Sequence, residues 1–470
     1  MFHNGICFGK TLMFNLCILQ REEQDLPILP IDTGRYGTPE MLKVYDEQNR
    51  LQKLLDVEAA LALAHADVGN IPKEDAEKIA SMASTKYVKV ERVKAIEKEI
   101  KHDIASLVRA LSEQCGTSGA YVHLGSTSYD IVDTANALQL KDAIEIIEQK
   151  LVKFKKILQT QAGKYAATVM IGRTHGQHAL PITLGFKFAV WGYEVNRHID
   201  RLNDCKKRVL AGKISGAVGT QAGLGEHAEK IQELVMKRLN LKTAEISTQI
   251  VQRDRYAELI CIYAEIASSL ENFATEIREL QRPEIAEVFE SFEAKKQVGS
   301  STMPHKQNPE TCERVCGLAR IVRSLALPAL EDMVTWHERD LTQSSTERFV
   351  LPESNILLDY ILNLTVNIVE NLRVDEQRMI ANLSFTQGRA MSESVMMALV
   401  HKGVNRQEAH EMLRKLTIQS AIAKQEFKET LQADPLVSSK LSKQEIEDAL
   451  NPKNYLGTAV KQAERFAKSA

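Results

Sequence analysis

The sequence predicts an all-α protein, in which a central bundle of long helices is flanked by a smaller helical domain on each side. Three observations carry this. Leu140, Ile144, Ile147, Leu151, Phe154 and Leu158 recur at alternating spacings of four and three, which lines one stripe of a long helix with apolar side chains. Leu259, Tyr263, Ile266, Leu270, Phe273, Ile277 and Leu280 repeat the pattern. Strand-like segments are few and short, so the usual mixture of helix and sheet is not expected. Long helices with apolar seams on more than one face need partners outside their own chain, which predicts an oligomer.

Taken in order, residues 1–28 are expected to be a disordered extension or an overlong start. Their apolar patch, Thr11 to Leu19, contains Asn15 and is about half the roughly 20 residues a membrane span needs. Lys10 precedes the patch, but no small-residue cleavage site follows before Gln20-Arg21-Glu22-Glu23, which argues against secretion. Residues 29–115 form the predicted N-terminal helical domain, closed by the polar break Cys115-Gly116-Thr117-Ser118-Gly119. Residues 116–373 form the central bundle, with further helices over roughly 182–211, 310–330 and 353–378. Val374-Asp375-Glu376 opens a C-terminal helical domain, 374–470.

Bulk composition excludes some functions. The 470 residues carry 60 Lys and Arg against 62 Asp and Glu, so no global field recruits nucleic acid or a membrane surface, and an anionic ligand must be held by local charges. The seven cysteines, Cys7, Cys17, Cys115, Cys205, Cys261, Cys312 and Cys316, are odd in number and lack paired CxxC spacing. That suits free thiols in a reducing compartment and points to the cytoplasm.

Polar breaks between the helices hold the chemistry. The most informative is Gly299 to Pro309, GSSTMPHKQNP: Gly, Ser and Thr will not sustain a long helix, and Pro304 and Pro309 hold the residues before them extended. The second break, His123 to Asp130, places Thr127, Ser128 and Asp130 at a helix start, where they either cap the helix or hold a carboxylate. The third, Gly172 to Ala179, sets His175 between an arginine and a glycine, so it belongs on a turn. Its imidazole suits proton donation near neutral pH, although a single histidine is more often structural. Pairing His175 and His178 with Cys312 and Cys316 matches no common metal-ligand spacing, so no metal is expected. Lys101, His102 and Asp103 are consecutive on a predicted helix and so cannot all face one way. Trp336 to Asp340, followed by Ser344, Ser345 and Arg348, is either a solvated charged loop or a grip for a multiply anionic ligand.

The strings TSxD, GRTHG and SSTMPHKxNP, in that order and each beside a bundle helix, resemble the three signature regions of the fumarase, aspartase and argininosuccinate lyase superfamily. The start Arg35-Tyr36-Gly37, KHD at 101–103, STQIVQRD at 247–254 and WHERD at 336–340 are similar specifically to adenylosuccinate lyases, and the resemblance covers roughly Pro30 to the C-terminus. It implies β-elimination of fumarate from small-molecule nucleotides: adenylosuccinate, giving AMP, and the succinylated aminoimidazole carboxamide ribotide. No cofactor is called for. The resemblance makes Ser300 the base and His175 the acid, with His102 near it for orientation or phosphate contact. Thr127, Ser128, Ser301, Lys306 and Asn308 match succinyl-binding positions. Arg35, Tyr36, Lys101, Asp103, Gln249, Arg339, Ser344 and Arg348 match positions that bind the rest of the substrate. In the family the bundle is the core of a homotetramer whose sites draw on three subunits. Two departures are visible. Gln307 replaces a frequent arginine, which implies weaker substrate affinity, and Tyr129 stands where smaller residues are common. A cycloisomerase of the same superfamily and a purely structural protein are the competing readings.

Overall fold

The structure, a computed structural model, describes residues 29–291 and 302–469. The N-terminal extension, Ser300 and Ser301 lie outside the described residues. Helices α1 (Pro39–Tyr45), α2 (Glu47–Asp67), α3 (Lys73–Met82), α4 (Val90–Ile100) and α5 (Asp103–Cys115) precede the 37-residue α6 (Ser128–Lys164). A hairpin of β1 (Val169–Thr174) and β2 (Gln177–Thr183) leads into α7 (Leu184–Val209). The short parallel pair β3 (Ala211–Gly212) and β4 (Lys242–Thr243) brackets α8 (Ala228–Leu239). Then come α9 (Asp254–Gln281), β5 (Val288–Phe289), α10 (Glu310–Ser324), α11 (Ala326–Glu331), α12 (Thr342–Glu370) and β6 (Arg373–Val374), which pairs with β5. The chain ends in α13 (Glu376–Ser384), α14 (Ser392–His401), α15 (Arg406–Ala423), α16 (Phe427–Ala433), α17 (Pro435–Lys440), α18 (Lys443–Leu450) and α19 (Ala459–Ala467).

Both predicted seams are buried along their whole length, Leu140 to Leu158 on α6 and Leu259 to Leu280 on α9, in one core with α7, α10 and α12. Two further cores form, one around α2, α5 and α8 and one around α14 to α18. The last helix returns to the bundle. Gly192 makes this possible, because a Cβ there would lie 1.9 Å from the Phe466 ring, so only a residue without a side chain lets α19 dock on α7.

Three local expectations are corrected. Lys101, His102 and Asp103 are not on one helix: Lys101 ends α4 in the left-handed region at φ 57° and His102 is the N-cap of α5. The helix expected over 353–378 begins eleven residues earlier, at Thr342, and stops at Glu370, because polar Thr342 to Arg348 form its solvated and site-facing first turns. The stretch 310–330 is two helices, meeting at Leu325.

Candidate active site

The N-terminus of α6 is built from its own sequence. Thr127 is the N-cap, and Asp130 accepts from the Thr127 backbone N–H at 2.8 Å, a capping box. Asp130 is fully buried and is also held by Lys213, the Ser215 N–H at 2.7 Å and the Gly216 N–H. These donors satisfy the oxygens of a carboxylate that has no access to water. Ser128 is thereby fixed at the rim of a cavity of about 540 Å³.

Lys101, His102, Asp103, Arg339, Ser344 and Arg348 line the same cavity. The break between α4 and α5 aims the first three at it. His102 Nδ1 accepts from the Ala105 N–H at 3.2 Å, which leaves Nε2 as the protonated nitrogen of the neutral ring. Asp103 Oδ2 accepts from Arg348 Nη2 at 2.9 Å. Arg339 donates from Nη1 to Gln249 Oε1 at 2.8 Å, while its Nε and Nη2 are buried without a partner. Arg339 thus places positive charge at the cavity wall.

Beneath the cavity lies an ion network of which the sequence motifs contain only Arg253, in STQIVQRD. Arg253 donates to Asp133 at 2.8 and 2.9 Å and to Glu347 at 2.5 and 3.1 Å, with all three groups buried. Burial pushes the Glu347 carboxyl up to about 7, against the opposing pull of Arg253. Tyr45, Arg50, Tyr129, Asn136 and Gln139 also line the cavity. Asn136 and Gln139 are single polar residues in an otherwise apolar stretch of α6, Arg50 ends a polar run, and Tyr129 is the variable position of TSxD, so only the facing helices show that they share a cavity.

The remaining described candidates lie elsewhere in the chain. His175 is exposed at the tip of the β1–β2 hairpin in the left-handed region at φ 53°, as a turn position requires. The hairpin base is clamped by Arg173, which donates to both oxygens of buried Glu287 at 2.7 and 3.0 Å, and Asn382 donates to the same carboxylate at 2.7 Å. Lys306 and Asn308 lead into α10, whose first N–H groups donate to Glu290: Thr311 N at 3.2 Å and Cys312 N at 2.5 Å. Tyr36 lies against Tyr360 of α12, with Arg35 over the Tyr36 ring, about 24 Å along that helix from Ser344 at 1.5 Å per residue.

Two clusters therefore sit at opposite ends of one bundle. Asp133, Arg253 and Glu347 meet at the cavity end. Gln161 reaches the Val369 carbonyl at 2.9 Å, and Gln281 reaches the Gln307 carbonyl at 3.2 Å, at the other end. The 37 residues of α6 separate Ser128 from the hairpin by roughly 55 Å, and a six-residue strand recovers only about 20 Å of that. Within one chain His175 does not reach the cavity. Among the described residues no group of three or more His, Cys, Asp or Glu side chains is placed to hold a metal, and no helix is long and apolar enough to cross a membrane.

A helical bundle with these three polar loops at its ends defines a lyase of the fumarase and aspartase superfamily. Residues 34–323 match the lyase family model, and residues 388–466 match that of the adenylosuccinate lyase C-terminus. The chain belongs to the adenylosuccinate lyase family and is an enzyme. It is 52% identical over 434 residues to the adenylosuccinate lyase of Pyrococcus horikoshii, covering 92% of this chain and 96% of that one. With the enzyme of the same name from Methanocaldococcus jannaschii it shares 47% over 437 residues, 93% of this chain and 94% of the relative. Among solved structures, a fumarate lyase from Mesorhizobium superposes with a TM-score of 0.87 at 32% identity, covering 94% of this chain and all of that one. The 3-carboxy-cis,cis-muconate lactonizing enzyme of Pseudomonas putida superposes with a TM-score of 0.86 at 33% identity, covering 93% and 98%.

Proposed function

We propose that this protein cleaves adenylosuccinate to AMP and fumarate, and the succinylated aminoimidazole carboxamide ribotide to its free carboxamide and fumarate, as a homotetramer of the cytoplasm with sites shared between subunits. In this reading Ser300 takes the proton from the succinyl carbon next to a carboxylate. The electron pair is held as an aci-carboxylate dianion, then expels the nitrogen as the carbon–carbon double bond of fumarate forms. His175 gives a proton to the departing nitrogen. Lys306, Asn308, Thr127, Ser128 and Ser301 hold the succinyl carboxylates, and donors aimed at the dianion stabilise it more than they stabilise the substrate. A serine is a poor base on its own, so Lys306 and backbone N–H groups must stabilise its anion. Arg35, Tyr36, Lys101, His102, Asp103, Gln249, Arg339, Ser344 and Arg348 bind the nucleotide.

The observation that carries this reading is the cavity at the α6 N-terminus, where the KHD residues, Ser128, Ser344, Arg348 and the half-paired Arg339 converge. The length of α6 supports the shared site: the acid and the cavity come together only if a second copy supplies one of them. An ultraviolet assay of the purified protein with each substrate, with fumarate and the nucleotide product confirmed by chromatography, tests the function. Turnover of neither substrate by folded protein would redirect attention to carboxymuconate, argininosuccinate and finally a structural role.

A further inference from the structure

Tyr129 follows Ser128 at the start of α6 and is 8% exposed. The Arg339 guanidinium lies on its ring, with Cζ 3.6 Å from the centroid. Arg253, on the same side of the molecule, shows the alternative fate of a buried arginine: its donors are consumed by Asp133 and Glu347. A ring face attracts a guanidinium through its quadrupole and uses none of the N–H groups. Arg339 is thus held by its charge and by one bond to Gln249, while Nε and Nη2 stay unpaired beside the cavity.

We propose that Tyr129 is a positioning residue, whose ring keeps the Arg339 guanidinium in place at the cavity wall, where its charge faces an anionic group of the nucleotide. A smaller side chain at position 129 would remove the ring on which Arg339 rests. The proposal rests on the adenylosuccinate reading.

The test compares wild type, Tyr129→Phe and Tyr129→Leu, with Tyr129→Met as a flexible replacement should the leucine variant not fold. Tyr129→Phe keeps the ring and should stay within about twofold of wild type in KM. Tyr129→Leu should raise KM for adenylosuccinate and weaken inhibition by AMP about tenfold, the scale of a desolvated cation–π contact. Its kcat should change by less than about threefold and its inhibition by fumarate not at all, a split that general loosening of the fold would not produce. Lower kcat at unchanged KM, or phenylalanine and leucine variants that behave alike, would overturn the proposal. Calorimetric titration with AMP reads the same contact without turnover. A wild type that binds AMP in a Tyr129-dependent way yet does not cleave adenylosuccinate would sink the assigned reaction alone, whereas equal AMP binding by wild type and Tyr129→Leu would sink the positioning role.

Discussion

Arg373 Nη2 donates to Gln307 Oε1 at 3.1 Å, and the same guanidinium reaches the Glu290 carbonyl from Nε at 3.3 Å and lies over the Phe289 ring. The residue that departs from the family's frequent arginine therefore has a cation as its partner, and positive charge beside the loop is supplied from β6. Gln307→Arg should place two like charges in contact and lower stability by about 0.5–1 kcal/mol, an effect that weakens with added salt. Arg373→Gln in the same chain should restore it. Thermal unfolding of the two single variants and the double variant, at low and high ionic strength, measures the coupling; strict additivity would disprove it.

Arg253 joins three helices, because Asp133 is on α6, Glu347 on α12 and Arg253 immediately precedes α9. Arg253→Met fills much of the volume but strands two buried carboxylates. A loss of about 3–5 kcal/mol is expected, the usual cost of leaving a buried charge without its partner. Urea unfolding would record it as a lower midpoint, and Asp133→Asn with Glu347→Gln in the methionine background should recover part of the loss. A methionine variant as stable as wild type would show the network to be dispensable.

The bundle was legible because α6 and α9 carry a narrow apolar stripe over many turns, and a period that long has no other physical reading. The polar loops were legible as breaks, but position in the chain does not reveal which ends of the bundle they occupy. That depends on the helices running side by side, which brings Ser344 to Ser128 and leaves His175 a helix length away. KHD was misplaced on a helix because His102 is an uncommon N-cap; its Nδ1 takes the role a serine or aspartate oxygen usually fills. Arg253 lies in STQIVQRD and Tyr129 in TSxD, but neither string reveals their partners, which, like those of Arg50, come from distant parts of the sequence.

His198 on α7 is 4% exposed, with Nε2 bonded to Ser269 Oγ at 2.8 Å and Nδ1 facing Arg201. Burial, together with Arg201 and Arg197 and against the pull of Glu194, lowers its pKa to about 4. The unfolded chain takes up this proton near pH 6.5, and the folded chain refuses it. Stability is therefore unaffected above pH 6.5, falls as pH drops from 6.5 towards 4 by about 3 kcal/mol in all, and then levels off. His198→Gln keeps a donor and an acceptor but does not titrate. The difference in unfolding free energy between wild type and this variant should shift over that pH window; a constant difference would remove His198 as the cause.

Ser300→Ala and His175→Ala each remove one proton transfer from the proposed reaction. Each should lower kcat by about 10²–10⁴ while leaving substrate binding largely intact, the range for positioned acid and base groups. The geometry adds a sharper expectation. His175 is separated from the cavity of its own chain by most of the length of α6, so under the proposed reaction a working site should take the acid from one subunit and the nucleotide pocket from another. If Ser300 and His175 of one site also belong to different subunits, mixing the two inactive variants under conditions that exchange subunits should create sites with both residues intact. With random exchange, roughly a quarter of the sites would be whole, because each of the two contributing subunits is the right one half the time. Recovery of activity from two inactive proteins has no explanation within a single chain. Continued inactivity, with exchange confirmed by differently tagged subunits, would place both residues in the same subunit's contribution or remove one of them from the site.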